Sequence, residues 1–191
     1  KTLLPRYTGQ TDQIVGTTTS GRNKTKYRPV VGYFVNTLPI RTDASNEPTF
    51  AAFLKHVKSR TLEAIEHQDF PFPLLVDRLN PRRDAGRLPI CPVTFSLQKP
   101  QQFSEAMHLF DEQARAVDWG GLEVHPFDLY QQEGQFEFSL DLLETGDSFL
   151  GAVKYDPQLY AAATVQRLAR HFVRLAEAIA EKPHPLPWER S

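Results

Sequence analysis

The fold class is indicated most directly by an amphipathic helical pattern that has strand-like segments before and after it in the sequence. From Thr49 to Glu66, apolar residues recur at about 3.6-residue spacing with charged residues between them. The apolar members of this stripe are Phe50, Phe53, Leu54, Val57, Leu62 and Ile65. On both sides lie runs rich in β-branched and aromatic residues, which are typical of strands. Helices that alternate with strands in this way predict an α/β domain, with helices packed on a mixed sheet.

The same patterns place the other elements. The predicted strands are Asp12–Thr19, Val30–Ile40, Cys91–Lys99, Leu122–Asp128, Gln135–Leu143 and Phe149–Tyr155. The predicted helices are Thr49–Glu66, Leu74–Leu79 and a final amphipathic helix from about Ala161 to Glu181. We expect Asn46 to cap the first helix and Pro48 to lie in its first turn. Gly146 and Asp147 predict a hairpin turn between the last two strands.

The two ends of the chain differ from its middle. The opening "KTLLPRY" has the pattern of the end of an amphipathic helix, so we expect the chain to be a piece of a longer protein. The closing "EKPHPLPWERS" is rich in proline and reads as a linker. The sequence therefore predicts one domain over residues 1–182 and a tail over residues 183–191.

Composition argues against several classes of partner. The chain has 191 residues and a net charge of -1, so there is no basic field for nucleic acid. No apolar run approaches the ~20 residues that a membrane span needs. Its single cysteine, Cys91, excludes an internal disulfide and fits a cytoplasmic compartment. The six histidines lack zinc-site spacing, so no metal is expected, and Cys91 lies in a strand pattern typical of a structural thiol.

Three polar stretches are candidates for a site. In "HQDFPF" (His67–Phe72), Asp69 could orient His67 as an acid–base group. The favoured alternative places His67 at a helix carboxyl end and Asp69 as the cap of the next helix. The stretches Arg82–Arg87 and Arg22–Arg28 could each bind an anion, but a solvated loop is the favoured interpretation of both.

A family resemblance covers nearly the whole chain. The segments "VGYFVNT", "HQDFPF", "RRDAGRLPI" and "TFSLQK" resemble, in this order, the motifs of condensation domains of nonribosomal peptide synthetases. That family resembles chloramphenicol acetyltransferase in fold, with two lobes that form a V around a tunnel. The resemblance implies amide-bond formation between an acyl or peptidyl thioester and an aminoacyl thioester. Both substrates would hang on phosphopantetheine arms of carrier proteins.

One motif of the family is missing. Its catalytic signature, H-H-x-x-x-D-G, belongs to the first lobe, and this chain has no adjacent pair of histidines. The resemblance therefore implies a C-terminal lobe alone: a chloramphenicol-acetyltransferase-like α/β lobe with a mixed sheet flanked by helices. We expect it to hold no catalytic residue and no cofactor of its own, and to be inactive in isolation. Its expected partners are the N-terminal lobe and the upstream and downstream carrier proteins.

The resemblance also implies roles for individual residues. Those expected to line the tunnel or the lobe interface are Arg22, Gly32, Asn36, Thr37 and Ser96. Those expected to be structural are His67, Gln68, Asp69, Arg83, Asp84 and Arg87. Arg22 resembles the arginine that pairs across the lobes with the signature aspartate. Asn36 is expected to bond neighbouring backbone more readily than a pantetheine arm. The chain departs from the family pattern at Pro73, where Glu is usual, and at Gly86, where Ser is usual.

Alternatives stay open at this point. The chain could be a non-catalytic binding or scaffold module that kept the lobe. It could be a heterocyclisation-type lobe, or a self-contained acyltransferase that uses His67 and Asp69. The "FSLQKP" segment resembles members in polyketide–peptide hybrid lines, which favours a polyketide or fatty acyl donor.

Overall fold

A computed structural model describes residues 1–46, 49–82, 88–99, 116–125, 136–145 and 147–181. The helices are α1 (Leu4–Thr8), α2 (Phe50–Glu66), α3 (Phe72–Leu79) and α4 (Ala162–Glu181). The strands are β1 (Asp12–Thr19), β2 (Asn36–Asp43), β3 (Val93–Gln98), β4 (Val117–Trp119), β5 (Leu122–Val124), β6 (Phe138–Thr145) and β7 (Ser148–Tyr155). A short 3₁₀ turn lies at Thr25–Tyr27.

Five strands form one mixed sheet in the order β2-β1-β3-β6-β7. β1 pairs antiparallel with β2 along its whole length, from Asp12 opposite Asp43 to Thr19 opposite Asn36. β3 runs parallel to both of its neighbours, β1 and β6, and β6 forms an antiparallel hairpin with β7. The carboxyl ends of β1, β3 and β6 therefore share one edge with the amino end of β2. β4 and β5 form a separate hairpin.

The core lies where helices cover this sheet. α2 packs on β2 and α4 packs on β7, and each helix contributes one buried side chain, Phe53 and Val165 respectively. Burial of such a side chain stabilises the fold by roughly 1.5–3 kcal/mol. The inward face of α4 is as the sequence predicts, since its other apolar members are half-buried: Leu168, Phe172, Leu175 and Ile179. In α2 the buried face is narrower than the predicted stripe, because these members are exposed: Leu54, Leu62 and Ile65.

The largest correction concerns the predicted strand Val30–Ile40. Residues 30–35 are not a strand, and β2 begins only at Asn36. The reason is the end of β1, because Thr19 opposite Asn36 is the last pair that this strand offers. Beyond that pair the backbone leaves the sheet. Val31 and Tyr33 are then 99% and 82% exposed, where a core strand would have buried them.

The helix ends also differ from expectation. Thr49, not Asn46, caps α2, and its hydroxyl accepts a hydrogen bond from the Ala52 N–H at 3.3 Å. Asp69 does not cap α3, because the cap position is Pro71, whose own side chain makes no capping hydrogen bond. The hairpin between β6 and β7 closes with Thr145 opposite Ser148, as predicted. Several predicted features lie outside the described residues: Pro48, Gly146, residues 126–128 of the fourth strand and the tail over 183–191. The boundary at 182 stays a prediction.

Candidate functional site

Polar side chains gather at the sheet edge where β1 ends and β2 begins. Thr19 is the last residue of β1 and Asn36 the first of β2. Because α2 packs on β2, the turn that follows α2 returns to the same edge. We call the resulting group the edge cluster; its members are Thr19, Arg22, Asn23, Lys24, Asn36, Gln68 and Asp69.

Asn36 is the central hydrogen-bonding group of the edge cluster. Its Nδ2 donates to the carbonyl oxygens of Gln68 at 3.0 Å and Phe70 at 2.8 Å. Its Oδ1 accepts from the backbone N–H of Phe72 at 3.0 Å. Both donors of the amide are thus used on the turn after α2, and its oxygen accepts from the first residue of α3. This confirms the expectation that Asn36 bonds neighbouring backbone.

Two further contacts tie the loop after β1 to the same turn. The Thr19 hydroxyl donates to Gln68 Oε1 at 2.6 Å, and Asn23 Nδ2 donates to Asp69 Oδ1 at 3.0 Å. Lys24 Nζ lies 3.5 Å from Asp69 Oδ2, but both side chains are more than half exposed, so this ion pair contributes little. Asp69 thus contacts the loop after β1 rather than the start of α3.

His67 and Asp69 do not form an acid–base pair in this structure. His67 is the carboxyl-terminal cap residue of α2, as predicted, and its Nδ1 lies 2.9 Å from the Glu63 carbonyl oxygen. Since a carbonyl only accepts, Nδ1 carries the proton in this contact. The carboxylate of Asp69 faces Asn23 and Lys24 instead. Nothing in this geometry supports the self-contained acyltransferase hypothesis.

Arg22 holds the loop between β1 and β2, residues 20–35. Its Nη1 donates to the carbonyl oxygens of Tyr27 and Val30, both at 2.6 Å, and its Nη2 donates to that of Gly32 at 3.1 Å. The guanidinium also lies 4.3 Å from the centre of the Phe34 ring. Sequence reasoning missed this arrangement, because it depends on the path of a loop that was interpreted as a strand.

The remaining predicted residues are not members of the edge cluster, although Thr37 directly follows Asn36 in β2. Thr37 is half-buried in β2 opposite Thr18 of β1. Ser96 lies in β3 beside Asp141 of β6, and β1 separates it from β2. Three others fall outside the described residues: Arg83, Asp84 and Arg87. Their predicted roles are therefore neither confirmed nor corrected.

The described part of the chain shows neither a metal-binding cluster nor a membrane-spanning helix. Residues 1–46, 49–82, 88–99, 116–125, 136–145 and 147–181 contain no group of three or more His, Cys, Asp or Glu side chains that could hold a metal ion. Within the same ranges, no helix combines the length and the apolar character that a membrane crossing requires.

The buried thiol of Cys91 is expected to react slowly with alkylating agents. The thiol is 1% exposed, and burial raises its pKa to about 12. Since the thiolate is the reactive form, the folded chain at pH 8 should react with iodoacetamide about a thousandfold more slowly than the urea-unfolded chain. Rates can be followed by mass spectrometry. Equal rates in the two states would contradict the structural assignment of this thiol.

The comparison with known families decides the identity of this fold. The condensation domain profile matches residues 1–186. The chain belongs to the condensation domain family. The edge cluster and the loop after β1 are thus features of a condensation-domain fold, which is a chloramphenicol-acetyltransferase-like arrangement of a mixed sheet flanked by helices.

Individual relatives agree with this assignment. The chain is 39% identical over 181 residues to tyrocidine synthase 2 of Brevibacillus parabrevis. This alignment covers 95% of the chain and 5% of the relative. It superposes with a TM-score of 0.90 and 22% identity on a four-domain nonribosomal peptide synthetase bound to AMP and glycine, covering 100% of this chain and 15% of that one. It also superposes on the X-domain in its complex with OxyB from teicoplanin biosynthesis, with a TM-score of 0.76, 26% identity and coverage of 100% and 40%. The chain spans only 2% to 5% of the length of the curated relatives it matches.

Proposed function

We propose that this chain is the C-terminal lobe of a peptide-bond-forming condensation domain. The observation that carries the proposal is the profile match over residues 1–186, in a chain with no adjacent histidine pair. The chain also covers 40% of the solved X-domain chain, so a second unit of comparable size has room in a complete domain. The lobe would form one wall of the site where a carrier-bound thioester meets a carrier-bound amine. The cytoplasmic location expected from the sequence stays a prediction.

The loop between β1 and β2 supports a lobe interface at this edge. Four of its apolar residues are exposed: Val30, Val31, Tyr33 and Val35. Exposed apolar side chains grouped in one short loop are typical of an interaction site. We assign the N-terminal lobe as the occupant of this surface, and the 40% coverage of the solved X-domain chain supports this assignment. Asn36 and Thr37 lie at the base of the same loop, which fits their predicted place at the interface or tunnel.

Arg22 retains the capacity for the cross-lobe ion pair. A guanidinium has five N–H donors, and three are used on the carbonyl oxygens of Tyr27, Val30 and Gly32. Two donors are left without a hydrogen-bond partner among the described residues. Two N–H groups are what a carboxylate accepts in the bidentate geometry that arginine favours. We therefore keep the assignment of an aspartate of the N-terminal lobe as the partner of these two donors.

The catalytic proposal is tested by comparing the lobe with the complete domain. The 191-residue chain alone, given two loaded carrier proteins, should form no amide above the uncatalysed rate. The chain joined to the preceding segment of its own protein should form the carrier-bound amide, detected by intact-protein mass spectrometry. The matched control replaces the paired histidines of the added segment with alanine and should abolish the product. Turnover by the isolated chain, or no loss in the control, would overturn the proposal.

A second candidate function is a non-catalytic docking module. The observation that favours it is the likeness, at 26% identity, to an X-domain solved in complex with OxyB. If the complete protein binds a partner enzyme in calorimetry yet forms no amide, this candidate replaces the first. A heterocyclisation-type lobe would give a different mass in the amide-formation assay. Its carrier-bound product would be lighter than the amide by the mass of one water molecule.

A further inference from the structure

The backbone of the loop between β1 and β2 makes few hydrogen bonds to other described residues. Among the residues that the structure describes, one backbone hydrogen bond outside regular elements involves residues 29–35: Val30 N–H donates to the Tyr27 carbonyl oxygen at 3.2 Å. This segment nevertheless carries Val31 and Tyr33 at nearly full exposure. A stretch with so few backbone contacts is ordinarily mobile, because each freed residue gains conformational entropy.

The side chain of Arg22 supplies hydrogen bonds to this loop. Its three donors reach carbonyl oxygens spread over six residues, from Tyr27 to Gly32. The guanidinium stacks on Phe34, and the Phe34 ring lies 5.6 Å from that of Tyr27, which closes the loop on itself. Charged donors make stronger hydrogen bonds than neutral ones, so these contacts hold the backbone although they are partly exposed.

We propose that Arg22 is the positioning residue of this loop, holding its backbone in the one shape that displays Val31 and Tyr33 to the rest of the domain. This deepens the interface described under Proposed function and rests on it for the identity of the partner. A pre-ordered surface binds more tightly because the ordering entropy is not lost on association. Arg22 then serves two purposes with one group, three donors for the loop and two for an incoming carboxylate.

The side-chain geometry makes this role specific to arginine. The three donors of a lysine ammonium sit on one nitrogen, whereas the planar guanidinium spreads its donors over three. Lysine keeps the positive charge but has one nitrogen, whereas Arg22 uses two different nitrogens for the Tyr27 and Gly32 carbonyls. Arg22→Lys thus separates loop positioning from simple charge.

The first arm of the test measures loop order in the 191-residue chain itself. Backbone order parameters from ¹⁵N relaxation at Val31, Gly32 and Tyr33 should fall from about 0.85 to below about 0.6 in Arg22→Lys and Arg22→Ala. Arg28→Ala is the matched control and should leave them unchanged, because the exposed Arg28 side chain makes no hydrogen bond or ion pair with another described residue. Guanidinium ion at millimolar concentration should partly restore order in Arg22→Ala but not in Arg22→Lys. Unchanged loop order in both Arg22 variants, with helix content intact by circular dichroism, would overturn the inference.

The second arm separates this inference from the proposed function. Association of the chain with the separately produced preceding segment should weaken at least tenfold in Arg22→Lys, in calorimetry, and remain unchanged in Arg28→Ala. If the loop loosens and association is unaffected, Arg22 still positions the loop, but the proposed interface is wrong. If association weakens and loop order is unchanged, Arg22 acts only through the incoming carboxylate and the positioning role is wrong.

Discussion

Replacing Asn36 with alanine is expected to lower the free energy of unfolding by about 2–3 kcal/mol. The change removes three hydrogen bonds, leaving the carbonyl groups of Gln68 and Phe70 and the N–H of Phe72 without this partner. Each such loss costs about 1 kcal/mol, and the exposed setting of the Phe70 carbonyl lets water compensate in part. For a domain of this size the melting temperature should fall by roughly 4–12 °C.

A second asparagine of the edge cluster provides the matched control. Asn23 makes one exposed side-chain hydrogen bond, to Asp69, so Asn23→Ala should cost less than about 1 kcal/mol. Asn36→Asp should not keep the stability that Asn36→Ala loses. A carboxylate still accepts from Phe72 N–H, but it has no donor for the Gln68 and Phe70 carbonyls. Urea denaturation monitored by circular dichroism gives all three values. If Asn36→Ala melted like the parent chain while the complete domain lost amide formation, Asn36 would be a substrate contact rather than a structural one.

The role of Asn36 was within reach of the sequence for a simple physical reason. An amide among apolar strand residues must find partners, since an unpaired buried polar group costs several times more than a hydrogen bond gains. Backbone groups of a nearby turn are the commonest partners for such a side chain. The extent of β1 and the inward face of α4 were predictable on similar grounds, because the pattern of apolar residues is set by the layer on which each element packs.

What the sequence could not show is where a strand lacks a neighbour. Residues 30–35 have strand-forming side chains, but β1 ends at Thr19 and no pairing is left for them. Pairing is a property of two segments far apart in the chain, whereas propensity is local. The Arg22 contacts were hidden for the same reason, because they exist only once the loop has left the sheet. The edge cluster was thus partly predictable, through Asn36, while the loop that gives it an exposed surface was not.

Gly21→Ala is expected to be the other large effect, with a loss of about 2–4 kcal/mol in the free energy of unfolding. Gly21 has a φ of 62°, in the left-handed region that alanine adopts only at a cost of about 1–2 kcal/mol. An added Cβ would also fall inside van der Waals contact of the Phe34 carbonyl oxygen. Because that neighbour is backbone, one side of the loop must shift, and the adjacent Arg22 would lose its alignment with the loop carbonyls.

Gly9→Ala separates the two causes. Gly9 has a similar φ of 70°, but a Cβ there would meet no heavy atom within 4 Å. Its replacement should therefore cost only the left-handed strain, about 1–2 kcal/mol. The difference between the two variants, measured by urea denaturation, isolates the contact between Gly21 and Phe34. If the two variants lost equal stability, the backbone of the loop would yield freely at this contact, and the loop could not be the rigid surface that an interface with a second lobe requires.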